Sequence, residues 1–283
     1  MGFEKNKEFF ETAVKNEGLG HAYLFTGQEM IGKRTFALEL ANQLTGHQTN
    51  DSLLSNPDIL FINSDGSESG QTIAIEEARR IKNFVSLSSG GGQYKFVVID
   101  DANLMTPEAQ NALLKILEEP NRSSILILVT ASSEALLPTI TSRCEEVRFD
   151  PHPRQLIGGF LNDSGLSKTK ADFLIEFANG RLGLVKKIVE EKSFDEVENS
   201  IEEFMGLIKE DINGRLMMAQ KLTDEKNKAE LPKKLLYWIL YLRIRLVEPK
   251  SHKILKGLLS LNEIISKPQF NQRLALENFL VQL

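Results

Sequence analysis

Residues 96–149 read FVVIDDANLMTPEAQNALLKILEEPNRSSILILVTASSEALLPTITSRCEEVRF. Four apolar residues, Phe96 to Ile99, run into Asp100 and Asp101. A short apolar run bounded by polar residues is the pattern of a buried parallel strand, and α/β sheets do their chemistry at strand C-termini. Thr106-Pro107-Glu108 then supplies a hydroxyl cap, a proline at the first helical position and an acid near the positive dipole end. The helix over AQNALLKILEE stops at Pro120. A second apolar run, Ile125 to Val129, ends in Thr130-Ala131-Ser132, and Pro138 opens a short segment leading to Ser142-Arg143-Cys144. A final short strand is expected over EEVRF. Strand, acid pair, helix, strand and arginine is the layout of a parallel α/β core with its polar residues gathered at the strand ends.

Upstream, HAYLFTGQEMIGKRTFALELANQL reads as strand, glycine loop and helix. Gly27, Gly32 and Lys33 have the spacing of the phosphate-cradling G-x-x-x-x-G-K-[ST] loop, whose N–H groups, helix dipole and lysine converge on phosphate. The last position departs from it: Arg34 stands where a hydroxyl would hold Mg²⁺, and Thr35 comes one residue late. Adjacent helix positions differ by roughly 100° in direction, so Thr35 does not take over that role. Without a ligand, the same residues form a plain strand-to-helix turn.

The wording IDDANLMTPEAQNALLKILEEP, followed by LPTITSRC, resembles the clamp-loader branch of the AAA+ ATPases, and the likeness extends over nearly the whole chain. The resemblance implies an α/β plus all-α protein: an AAA+ P-loop core with a five-stranded parallel sheet over residues 1–150, a small helical lid over 151–193 and a helical collar over 194–283. It matches Asp100 to the magnesium-side carboxylate of the strand. Asp101 falls where active members carry a water-orienting Glu, and it is shorter by one methylene. The plain alternative is that both acids cap the next helix. The resemblance also assigns Arg143 as an arginine finger reaching a neighbour's ATP site, with Ser142 and Cys144 serving its position; otherwise it is a surface ion pair.

The chain is therefore expected to hydrolyse ATP poorly or not at all, with ATP or ADP at most in a degenerate site of Gly27, Gly32, Lys33, Arg34, Thr35 and Asp100. Its partners would be gamma/tau-like ATPase subunits, a delta-like subunit, the sliding clamp and primed DNA. Other readings are an active gamma-like motor, which would need a hydroxyl at 34 and Glu at 101, or an unrelated P-loop small-molecule kinase. Arg79, Arg80 and Lys82 form either a solvated face or a DNA phosphate contact. Thr130 reads as a strand cap, although relatives sense phosphate there. Ala178–Gly183, with Arg181, reads as a helix-joining turn, although relatives use a similar turn to reach nucleotide.

Composition sets the remaining bounds. With 283 residues, 41% hydrophobic and 26% charged, the chain has ordinary globular content. A net charge of −5 argues against a surface that grips DNA all over, though not against a local basic face. One cysteine excludes an internal disulfide and a Cys-based zinc site, and the four histidines lack ligand spacing, so neither zinc nor another metal site is expected. No run reaches the length of a membrane span, the N-terminus is not a secretory signal, and a cytoplasmic location follows as an expectation. Residues 45–57, a polar linker, and Ser89 to Gln93, a flexible turn, separate elements. From 194 onward the pattern is helical, with Tyr237, Trp238 and Tyr241 on one helix as core or packing residues.

Overall fold

The computed structural model describes residues 2–46, 56–64, 72–87, 93–121, 123–245, 249–265 and 270–283. Most of the linker and turn expected over 45–57 and 89–93 lies outside them. The chain divides into two compact units, Met1–Pro153 with Gly180–Gly183, and Arg154–Asn179 with Leu184–Leu283. A further division between lid and collar remains a proposal.

The first unit is built on five parallel strands, β1 Ala22–Thr26, β2 Ile59–Ile62, β3 Lys95–Ile99, β4 Ser124–Thr130 and β5 Glu145–Arg148, in the order β2-β3-β4-β1-β5. Its helices are α1 Glu4–Lys15, α2 Lys33–Thr45, α3 Ile75–Ser86, α4 Pro107–Glu118 and the single turn α5 Pro138–Thr141. The two-residue period of a strand explains the layering. Leu24, Val97, Ile99, Leu126 and Leu128 face one apolar layer with Ile81 of α3 and Leu113 of α4. Tyr23, Phe25, Phe96, Val98 and Ile127 face the other, with Phe10 of α1 and Phe36 of α2. Both faces are covered, which is why the central strands read as unbroken apolar runs.

Strand order sets the chemistry. β4 lies between β3 and β1, and Thr26 of β1 is in register with Thr130 of β4. The loop after β1, Thr130 and the acid pair after β3 therefore stand side by side at one sheet edge. The expected cap of α4 is present: Thr106 Oγ1 accepts from Ala109 N at 3.2 Å, with Pro107 beginning the helix.

The second unit is helical: α6 Arg154–Asn162, α7 Lys168–Ala178, α8 Leu182–Glu190 (starting in the Gly180–Gly183 segment), α9 Phe194–Lys209, α10 Ile212–Thr223, α11 Leu231–Ile244, α12 Pro249–Ile265 and α13 Gln272–Val281. Trp238 is fully buried, stacks on Phe204 and donates its indole N–H to the Ser200 carbonyl at 2.8 Å. That satisfies the ring's one polar atom inside the core. Arg215 of α10 donates to the Leu207 and Ile208 carbonyls near the end of α9, at 3.1 and 3.0 Å. A guanidinium there matches the negative end of the helix dipole. Among the described residues, no helix is long and apolar enough to cross a membrane.

Candidate functional site

The loop after β1 is held by close packing. Gly27 has φ +142°, and a Cβ there would collide with the carbonyl oxygen of Phe149. Gly183 approaches the Met30 carbonyl so closely that a Cβ would lie 2.5 Å from its oxygen. The Gly180–Gly183 turn thus lies against the loop. Gly32 ends the loop, and α2 begins at Lys33.

Lys33 is 6% exposed, and its Nζ donates to the carbonyls of Gly27 and Gln28, both at 2.6 Å. Burial pushes its pKa down to about 8, against the pull of Glu29, Asp100 and Asp101. Arg34 Nη1 stands 3.8 Å from Asp100 Oδ2, and its guanidinium lies over the Phe61 ring at 4.7 Å. Asp100 is pushed up to about 6, first by burial and then by Asp101, with Arg34 opposing. Glu29 is raised as well, by desolvation and by Asp101.

The magnesium ion implied by this type of loop does not fit these residues. A divalent ion needs hard oxygen ligands, yet the position that should offer a hydroxyl carries a guanidinium directed at Asp100. Thr35 is exposed and one position round the helix. Lys33, Arg34 and Arg181 lie among Glu29, Asp100 and Asp101, three basic groups to three acidic ones.

Two of the alternatives open in the sequence are narrowed by the geometry. Asp101 adopts φ +49° at the head of a short helical turn, Ala102–Leu104, and makes no side-chain cap bond to it. The left-handed backbone ends the strand abruptly, and capping of α4 falls to Thr106. Arg181 is more than part of a joining turn: it is buried beside the loop, close enough to affect the titration of Lys33 and Glu29. The signal was Gly183, the residue small enough for that approach. Thr130 does cap its strand end, since its hydroxyl lies 2.9 Å from the Ser132 carbonyl, accepts from Ser132 N at 3.1 Å and lies 3.1 Å from Asn103 Oδ1.

Arg143 follows α5 with its side chain 36% exposed. Its Nη2 donates to Glu118 Oε1 and its Nη1 to the Thr139 carbonyl, both at 2.9 Å. Ser142 closes α5, its hydroxyl donating to the Thr139 carbonyl at 3.3 Å, and half-buried Cys144 packs against the core. Burial pushes the Cys144 thiol up to about 12, which makes it an unreactive packing group. On α3, Arg79, Arg80 and Lys82 are exposed while Ala78, Ile81 and Val85 are buried; Arg80 pairs with Glu77 at 3.4 Å. The loop residues, Asp100 and Arg181 thus come together, whereas Arg143 and the α3 cations face solvent separately. Sequence reading did not single out Glu29, Phe61 or Glu118, whose partners are distant in the chain or hidden in the loop.

The family described as "DNA polymerase III, delta subunit" matches residues 2–153. DNA polymerase III subunit delta' of Bacillus subtilis is 30% identical over 179 residues, covering 59% of this chain and 53% of the relative. The subunit delta' of Pseudomonas aeruginosa is 35% identical over 137 residues, covering 44% and 41%. The chain thus spans about half the length, or less, of the curated relatives it matches. A solved structure of a DNA polymerase III gamma subunit-related protein from Thermotoga maritima superposes with TM-score 0.59 over 97% of both chains at 21% identity, a likeness of fold.

Proposed function

We propose a function from one premise: this chain belongs to the DNA polymerase III delta-subunit family, the clamp-loader family of AAA+ proteins in DNA replication. In this reading it is a clamp-loader subunit that hydrolyses little or no ATP itself. It donates Arg143 to the ATP site of a neighbouring gamma/tau-like subunit while the assembly, which includes a delta-like subunit, loads a sliding clamp onto primed DNA. The observation that carries the reading is the contrast between its cations. Lys33 is buried and bound by two carbonyls of its own loop, while Arg143 stands partly exposed away from that loop, its guanidinium held by Glu118 and the Thr139 carbonyl.

In phosphoryl transfer, negative charge spreads over the equatorial oxygens of the moving group, and catalysis is mostly positioning and electrostatic stabilisation. A guanidinium from the next subunit offsets that charge and fits its oxygens with paired N–H donors. This chain's own loop is poorly equipped for the same step, since Arg34 replaces a hydroxyl and Asp101 is too short to hold a water where Glu would. ATP or ADP would sit there, if at all, as a structural ligand. The exposed Arg79, Arg80 and Lys82 suit a phosphate contact with DNA in the assembly. Exposed Ile212, Met217, Leu259 and Leu274 in the second unit suit packing in a collar with neighbouring subunits.

DNA-stimulated ATP turnover by a reconstituted loader tests this. Wild type should give negligible turnover alone and robust turnover with the motor subunit, and Arg143→Ala should lose most of the latter with assembly unchanged. Full turnover in the variant would reduce the chain to a scaffold.

A further inference from the structure

α4 ends on two acids, Glu118 and Glu119. Carboxylates in the last turn meet the negative end of the helix dipole and are disfavoured there. Lys115 is the basic residue of that turn, but the hydrogen-bond partner of Glu118 lies 25 residues on, at Arg143. The guanidinium is held from two elements: Nη2 by the α4 carboxylate and Nη1 by the Thr139 carbonyl of α5, each at 2.9 Å. Two such bonds to a planar group fix its rotation as well as its position.

α4 holds the start of the same segment too. Buried Gln110 accepts from Leu137 N at 2.7 Å and donates to the Met105 and Ala135 carbonyls at 3.1 and 3.4 Å. The stretch from Leu137 to Arg143 is thus measured off α4 at both ends. The side chain of Arg143 remains 36% exposed, and these two bonds use two of a guanidinium's five N–H donors.

We infer that Glu118 is a positioning residue for Arg143. Its carboxylate holds the guanidinium in one orientation before a neighbour's phosphate arrives, so the side chain's rotamer freedom is not lost in the reaction itself. This rests on the in-trans reading above. Glu118 acts through Arg143 and does not touch the reacting atoms.

The test is DNA-stimulated ATP turnover by the reconstituted loader carrying Glu118→Ala, Glu118→Gln, Arg143→Ala or Glu118→Ala with Arg143→Ala. Glu118→Ala should lower kcat roughly three- to tenfold, because misorientation falls on the chemical step. The Gln variant, which keeps an acceptor oxygen, should lose less, and KM for ATP should stay within about twofold in both. In the Arg143→Ala background, Glu118→Ala should cost nothing more, since both changes remove one device. An unchanged or raised kcat in both Glu118 variants, or a further loss in the double variant, overturns the assignment. If Arg143→Ala is damaging while the Glu118 variants are neutral, only Glu118 loses its role. If Arg143→Ala is neutral, the in-trans reading fails and takes this one with it. Should Glu118→Ala disturb assembly, the isosteric Gln variant decides.

Discussion

Lys33 and Arg143 each make two hydrogen bonds to oxygen within the chain, and the two regions use them in opposite ways. Lys33 is 6% exposed and bound to two carbonyls of its own loop, with its pKa held down at about 8 by burial. Arg143 is 36% exposed, and its bonds reach a carboxylate and a carbonyl on two separate elements. A buried cation already bound to two carbonyls has fewer donors left for a ligand, whereas a partly exposed guanidinium has five N–H donors and can keep its two partners while it meets an incoming phosphate. The glycine loop thus holds its lysine within itself, while Arg143 sits partly exposed between two elements.

The largest expected effect breaks the scaffold that both regions share. Gly27→Ala forces a Cβ onto the Phe149 carbonyl at φ +142°, where L side chains are strained. It should destabilise the protein by about 2–4 kcal/mol in chemical denaturation. A neutral result would mean that the loop yields easily and that its closed geometry is incidental.

Next in size is the charge inside the loop. Asp100 is raised from 3.8 to about 6, so the folded chain binds more protons than the unfolded chain between those values. Stability should therefore fall as pH rises through that window, and ionised Asp100 is a burden at neutral pH. Asp100→Asn should stabilise by about 1–3 kcal/mol at pH 7.5, a gain that disappears below about pH 4. A loss at neutral pH would instead mark Asp100 as needed for its pairing with Arg34.

The smallest effect sharpens the same contrast. Arg34 is half exposed and 3.8 Å from its acid, so Arg34→Thr should change stability by less than about 1 kcal/mol. Turnover by the isolated chain should stay at background even with the hydroxyl restored, because Asp101 remains short. Measurable hydrolysis by that variant would show that a single residue silences the loop.

Much of this was legible in the sequence because it is local. Thr106-Pro107-Glu108 announced a helix start and Pro120 its stop; Phe96–Ile99 announced a strand covered on both faces; Gly27, Gly32 and Lys33 announced the loop. What stayed hidden depends on long-range meeting. Arg181 reaches the loop after some 150 intervening residues, and the close packing of Gly183 on Met30, with the Gly180 carbonyl accepting from His152 N, helps bring it there. Glu118 looked like one acid of a polar helix end until the fold set it 2.9 Å from Arg143. The choice between roles for Asp101 stayed open for a local reason: its left-handed backbone, with no side-chain cap bond to the turn that follows, is not reported by periodicity.

The most direct measurement places the two cations side by side. A loader reconstituted with Lys33→Met and one with Arg143→Ala are compared for DNA-stimulated ATP turnover at equal assembly. Arg143→Ala should cut turnover at least roughly tenfold, as removal of an arginine finger does. Lys33→Met should leave it within about twofold, since a satisfied, buried lysine contributes packing rather than chemistry. The opposite pattern, a large loss with Lys33→Met and none with Arg143→Ala, would contradict a finger donated in trans and make the loop of this chain the working site.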